Sequence, residues 1–194
     1  MKKAHGGVVL LLILLACKKP VGTVPPQIIP GMKYFNLAGQ ETKYNVPQYV
    51  DLDGDGKRDF SFVTYLIGDP LYKRDKIQFS ATSGVDRMML IGQDENTPLF
   101  KKGDMIGSDG IPGYQWIEVG SIPLMQKIME IQKPAYWIGN WKNARHKYMA
   151  FQVRDSGKLY YGWFELSTDT TLEKIVLHRA AISREAQTNI KAGL

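Results

Sequence analysis

Apolar and polar residues alternate along much of this chain, and the alternation has a period of two. Phe60-Ser61-Phe62-Val63-Thr64-Tyr65-Leu66-Ile67 is rich in aromatic and β-branched residues, and Lys76 to Phe79 alternates. From Val85 to Ile91 the residues Val85, Met89 and Ile91 share one face with Arg87, and Tyr148 to Val153 alternates again. Lys158 to Leu166 and Glu173 to Ile182 add two further runs, and Arg154-Asp155-Ser156-Gly157 carries the residues of a tight hairpin turn. Such segments, separated by Gly, Pro and Asp, predict strands. Only Pro123 to Gln132 has helical spacing, with Leu124, Ile128 and Ile131 on one face. With no alternation of strands and helices, the pattern predicts an all-β fold: an antiparallel, jelly-roll-like β-sandwich with at most one or two short helices. Gly162 lies mid-run, which marks close backbone approach or room for a neighbouring ring. Tyr161 and Trp163 on one face and Tyr160 and Phe164 on the other fit a central strand covered on both sides.

The first thirty residues follow another pattern. Lys2 and Lys3 precede an apolar run from Val8 to Leu15, which is too short to span a bilayer, since a helix needs about 20 residues for that. Leu14-Leu15-Ala16-Cys17 follows, and Cys17 is the only cysteine. This segment resembles a bacterial lipoprotein signal peptide ending in a lipobox. The resemblance implies cleavage before Cys17, acylation of its thiol and export to the cell envelope, with the outer membrane or cell surface as the destination. The chain then divides into a signal peptide (1–16), a lipidated Cys17 with a Pro-rich tether (17–31) and one domain (32–194). A Pro-rich linker runs at about 3.1 Å per residue, so this tether reaches roughly 40 Å. With its only thiol lipidated, the mature chain has none left for a disulfide. Without Lys2 and Lys3, the 25 Lys and Arg become 23 against 19 Asp and Glu, a mild +4 with both signs interspersed. That balance points away from nucleic acid as a partner, and the lipoprotein resemblance implies the membrane as a partner through the lipid on Cys17.

The strongest chemical signal is Asp51-Leu52-Asp53-Gly54-Asp55-Gly56-Lys57-Arg58-Asp59. Calcium takes six to eight oxygen ligands, and loops of this kind supply them at alternate positions. Asp51, Asp53 and Asp55 fit the first three positions, the Lys57 carbonyl fits the fourth and Asp59 the fifth. Gly56 permits the sharp turn. The bidentate Glu of a helix–loop–helix site is replaced by Phe62, so the loop resembles instead the Asp-x-Asp-x-Asp-Gly calcium loops that join strands in secreted β proteins. Water or a distant carboxylate such as Asp69 would complete the shell, and the expected role is structural.

Near the C-terminus, Tyr160-Tyr161-Gly162-Trp163-Phe164-Glu165-Leu166-Ser167, the run Ile175 to Ala181 and Asn189-Ile190-Lys191-Ala192-Gly193 form a second signature. It resembles uncharacterised bacterial exported proteins with a Tyr-Gly-Trp strand and a closing Ile-x-Ala-Gly. That family implies a β-sandwich and an exported life but no activity.

Catalytic signals are sparse. After the signal segment only His146 and His178 remain, in no recognisable nucleophile or zinc motif, and there is no phosphate-binding glycine loop. His146 reads as part of a solvated basic turn and His178 as a packed or edge-strand residue. Trp137 and Trp141 lie four residues apart, a spacing that could place both on one side of a strand to stack on sugar rings or anchor a partner. Three readings follow: a lipid-anchored, non-enzymatic binding or structural module with one calcium; a glycan-binding accessory lipoprotein using Trp137 and Trp141; and a carboxylate-dependent glycoside hydrolase. The first is preferred, with a glycan or an envelope protein as its partner.

Overall fold

The computed structural model describes residues 31–118 and 120–194. The signal peptide, Cys17 and all of the tether before Gly31 lie outside the described residues. Thirteen strands follow in order: β1 (Met32–Thr42), β2 (Gln48–Val50), β3 (Phe60–Asp69), β4 (Arg74–Ser83), β5 (Arg87–Gly92), β6 (Met105–Ile106), β7 (Tyr114–Glu118), β8 (Ser121–Glu130), β9 (Tyr136–Ile138), β10 (Lys147–Asp155), β11 (Lys158–Asp169), β12 (Lys174–Ser183) and β13 (Ile190–Lys191). All pairings are antiparallel. One sheet runs β1-β12-β11-β10-β5-β7, the other β2-β3-β4-β8-β9, and β6 and β13 form a small ribbon. Neither sheet closes, and the fold is the all-β sandwich that the alternation predicts.

The two sheets bury one face each against the other, as a half-apolar strand must. Phe60 of β3 meets Phe151 of β10 and Phe164 of β11, and Phe62 meets Phe164, with ring centroids 4.9–5.4 Å apart. β11 lies between β10 and β12, and its other face is also covered. There Tyr161 and Trp163 pack with Tyr148, Phe100 and Ile106 beneath the closing Ile190 and Ala192. Gly162 sits where a side chain has no room: a Cβ there would lie 2.2 Å from the Phe151 ring. The hairpin turn falls at Ser156 and Gly157, both at positive φ, which aligns the twist of β10 and β11.

Pro123–Gln132 is not a helix but most of β8, and the described residues contain no helix. A bulge causes the helical spacing. Phe79 pairs with Met125 and Ser80 with Pro123, so Leu124 is an extra residue and both Leu124 and Met125 enter the core. Beyond the bulge the faces exchange. Ile128 packs on the outer side, in register with Lys76 and Tyr136, and Ile131 is exposed past the strand end.

Candidate functional site

The acidic loop joins β2 to β3, which pair up to Val50 and Phe60. Its neck is closed by the Asp59 amide, which donates to the Val50 carbonyl at 2.9 Å. Inside the loop the Asp51 carboxylate accepts from the Gly54 amide at 2.6 Å and the Gly56 amide at 2.9 Å. These two bonds hold the Asp51 carboxyl below the usual carboxylate range. Gly54 and Gly56 both have positive φ, the conformation that lets the chain wrap around its own carboxylates. Asp59 is buried; one oxygen accepts from the Leu52 amide at 2.6 Å and the other from Arg87 Nε at 2.6 Å.

Oxygens of Asp51, Asp53 and Asp59 lie within 4.8 Å of one another, a group that could hold a metal ion. Arg87, from the start of β5, also donates Nη2 to Asp53 at 2.9 Å. Three carboxylates facing one guanidinium leave a formal excess of two negative charges, the charge of a divalent cation. The loop places the other expected ligands differently. Asp55 turns out to Lys57, accepting from both its amide and its Nζ at 2.8 Å, and this pairing lowers the Asp55 pKa. Asp69 is no part of the group. It ends the ten-residue β3, which at about 3.3 Å per residue puts it roughly 30 Å from Asp59, where it pairs with Arg74 at 3.1 Å and Lys76 at 3.2 Å.

Trp137 and Trp141 do not share a strand face. β9 ends at Ile138, and Gly139, at φ +109°, turns the chain so tightly that a Cβ would lie 2.6 Å from the Leu124 carbonyl. Trp141 is then fully buried, its Nε1 donating to the Thr97 carbonyl at 3.1 Å. Trp137 is half-buried against Phe79, with centroids 5.7 Å apart. This pair cannot form an open stacking platform, because one ring belongs to the core.

A second polar group has no local signature in the sequence. His146 and His178, thirty-two residues apart, stack with centroids 4.3 Å apart and planes 24° apart. His146 Nδ1 lies 2.7 Å from Glu165, and His178 Nε2 lies 2.8 Å from the Ser167 hydroxyl. Arg179 Nε donates to the other Glu165 oxygen at 2.5 Å. Burial raises the Glu165 pKa, but Arg179 and His146 outweigh it and hold the carboxyl below its usual range. Burial, then the neighbouring His146, push the His178 pKa down. The bulge between Glu165 and Leu166, opposite His178, creates the arrangement. It leaves His178 as the unpaired residue, so that His178 and Arg179 both reach the Glu165 side of the sheet. Imidazole lone pairs lie in the ring planes, so two near-parallel stacked rings do not converge on a metal. The carboxylate is hydrogen-bonded to His146, while the hydroxyl meets the other ring. The group therefore lacks the ordered nucleophile–base–acid chain of a hydrolase triad.

Compared with known proteins, the chain matches no family model, no curated protein and no solved structure.

Proposed function

We propose that this chain is an exported bacterial lipoprotein, anchored in the cell envelope through Cys17, whose β-sandwich acts by binding or as a structural module and is braced at one end by calcium. The observation that carries the brace is the convergence of Asp51, Asp53 and Asp59 with a net charge of minus two beside a single guanidinium. Hard carboxylate oxygens in a glycine-wrapped loop favour calcium over softer metals. In this reading Asp55 leaves Lys57 when calcium binds and, with the Lys57 carbonyl, completes the shell, with water at the remaining positions. The lipobox and the closing Ile-x-Ala-Gly signature support the exported life.

Few protein ligands imply an affinity of about 1 mM, the range of extracellular modules. At about 10 mM calcium, ligand linkage then adds about 1.4 kcal/mol, a rise of about 3 °C in Tm for a domain of this size. Thermal melts of the full-length chain in calcium and in chelator measure it. Loss of the shift in Asp53→Ala supports the brace, and a wild-type melt unmoved by calcium overturns it. The anchor has a separate test: metabolic labelling with radioactive palmitate marks the wild type and not Cys17→Ser.

A further inference from the structure

The acidic loop is also the rim of a cavity. At this end of the sandwich the loop, the β4–β5 turn at Asp86 and the β10–β11 turn at Ser156 converge around a hollow of about 430 Å³. The hollow beside Gly31 and Ile190 holds about 240 Å³. Cavities of roughly 300–1,000 Å³ are the size that small ligands use. Val153 and Ile182 supply apolar wall between the sheets, and Tyr160, on the same side of β11 as Gly162 and Phe164, adds an aromatic ring. Much of the rest is charged, and its two arginines are paired with carboxylates. Arg87 lies against Asp53 and Asp59, and Arg154 Nη1 lies 3.3 Å from Asp86 and 2.8 Å from Glu118.

This pairing defines the ligand chemistry. The wall carries three cations (Lys33, Arg87, Arg154) and four carboxylates (Asp53, Asp59, Asp86, Asp155), a formal charge of minus one, so a strong anion meets no excess of cations, while the negative excess of the loop belongs to the Asp51–Asp53–Asp59 group. Each Arg–Asp pair instead sets donors beside acceptors. Adjacent hydroxyls match that arrangement, because each hydroxyl accepts from a guanidinium and donates to a carboxylate at once. The apolar C–H face of a sugar ring matches Tyr160 and Val153. We propose that this cavity binds a neutral saccharide, held by the Arg87–Asp53 and Arg154–Asp86 pairs with Tyr160 as the apolar contact. The inference rests on the reading of the domain as a binding module and needs no metal ion.

The test is an amide NMR titration of the full-length chain carrying Cys17→Ser, in calcium and in chelator. The probes are the methyl pyranosides of glucose, mannose, galactose and N-acetylglucosamine, each taken to about 10 mM. The expected result is saturable movement of the Asp86, Arg87, Arg154 and Ser156 amides with at least one probe. Arg154→Ala and Tyr160→Ala should each weaken it about tenfold or more. Arg154→Lys, which keeps the charge and loses the planar fork, should weaken it too and separates recognition from folding. Tyr136→Ala, on the far face of the other sheet, should leave it unchanged. Failure of all four probes to move these amides overturns the proposal, as does binding that survives both alanine substitutions. A calcium response at Asp51–Asp59 without any sugar response overturns the saccharide site alone; a sugar response in chelator without a calcium response overturns the brace alone.

Discussion

The acidic loop and the Glu165 group are both carboxylate sites, and they are built in opposite ways. The loop is local: nine consecutive residues fold back on themselves, and its carboxylates are satisfied largely by its own amides. Among the described residues, the distant side chain that reaches its carboxylates is Arg87, while Lys33 and the Gly84 amide reach its carbonyls. The Glu165 group is assembled from two neighbouring strands, β11 and β12, and the turn before β10, and Glu165 depends for both oxygens on side chains 14 and 19 residues away. A local site keeps its shape when one contact is lost, because the backbone still closes it. An assembled site loses the one carboxylate that its partners share.

The largest expected effect tests that difference directly. Glu165→Ala removes the shared partner of Arg179 and His146, leaving a half-buried guanidinium uncompensated. Urea unfolding should show a loss of about 3 kcal/mol, in line with broken buried pairs. Asp59→Ala comes next. It removes the acceptor for the Leu52 amide and for Arg87 but leaves the loop neck closed by backbone, and should cost about 2 kcal/mol by the same measurement. If Asp59→Ala costs more than Glu165→Ala, the contrast between local and assembled sites is wrong.

A smaller effect sharpens the comparison through pH. Because burial and His146 hold the His178 pKa down, the folded chain binds that proton less readily than the unfolded chain. Its stabilisation is therefore complete above about pH 6.5 and is lost as pH falls through the lowered folded value. Melts between pH 8 and pH 5 should show Tm falling over this window, and His178→Gln should flatten the slope. The Asp51 and Asp55 carboxyls, held low, contribute no change in that range; their stabilisation is lost only at more acid pH. Asp55→Ala is the smallest perturbation. In chelator its Tm should stay within about one degree of wild type, because the pair it breaks is exposed, while its calcium shift should shrink. An unchanged calcium shift would take Asp55 out of the ligand set.

The same contrast explains what could be read in advance. The strands at Phe60–Ile67 and Glu173–Ile182 are legible because a partly buried strand imposes its period on its own residues, and those at Tyr148–Val153 and Lys158–Leu166, buried on both faces, because they are short apolar and aromatic runs bounded by turn residues. So is the room that Gly162 leaves for a ring. β8 misleads because a bulge resets the period: Leu124 and Ile128 keep helical spacing while facing two sides of a sheet, and Ile131 lies past the strand end. The tryptophan pair was misread for a related reason. Gly139 ends the strand between Trp137 and Trp141, and only the approach of Leu124 to Gly139 shows that one ring goes inward. The stacked histidines had no signal to read, since their neighbourhood depends on strand register and on a bulge between Glu165 and Leu166.

What the sequence by itself determined is whatever is written within one turn or one strand: the all-β class, the hairpin at Ser156–Gly157, and a glycine-wrapped acidic loop whose carboxylates repel unless a cation joins them. Tertiary structure decided which of those carboxylates converge, that Arg87 reaches them from another strand, that Trp141 is core, and that the acidic loop and two hairpin turns converge around a cavity. The physical reason is range. Backbone periodicity and short-loop hydrogen bonds act among sequence neighbours, whereas the meeting of side chains from different strands depends on register, and a bulge of one residue is enough to change it.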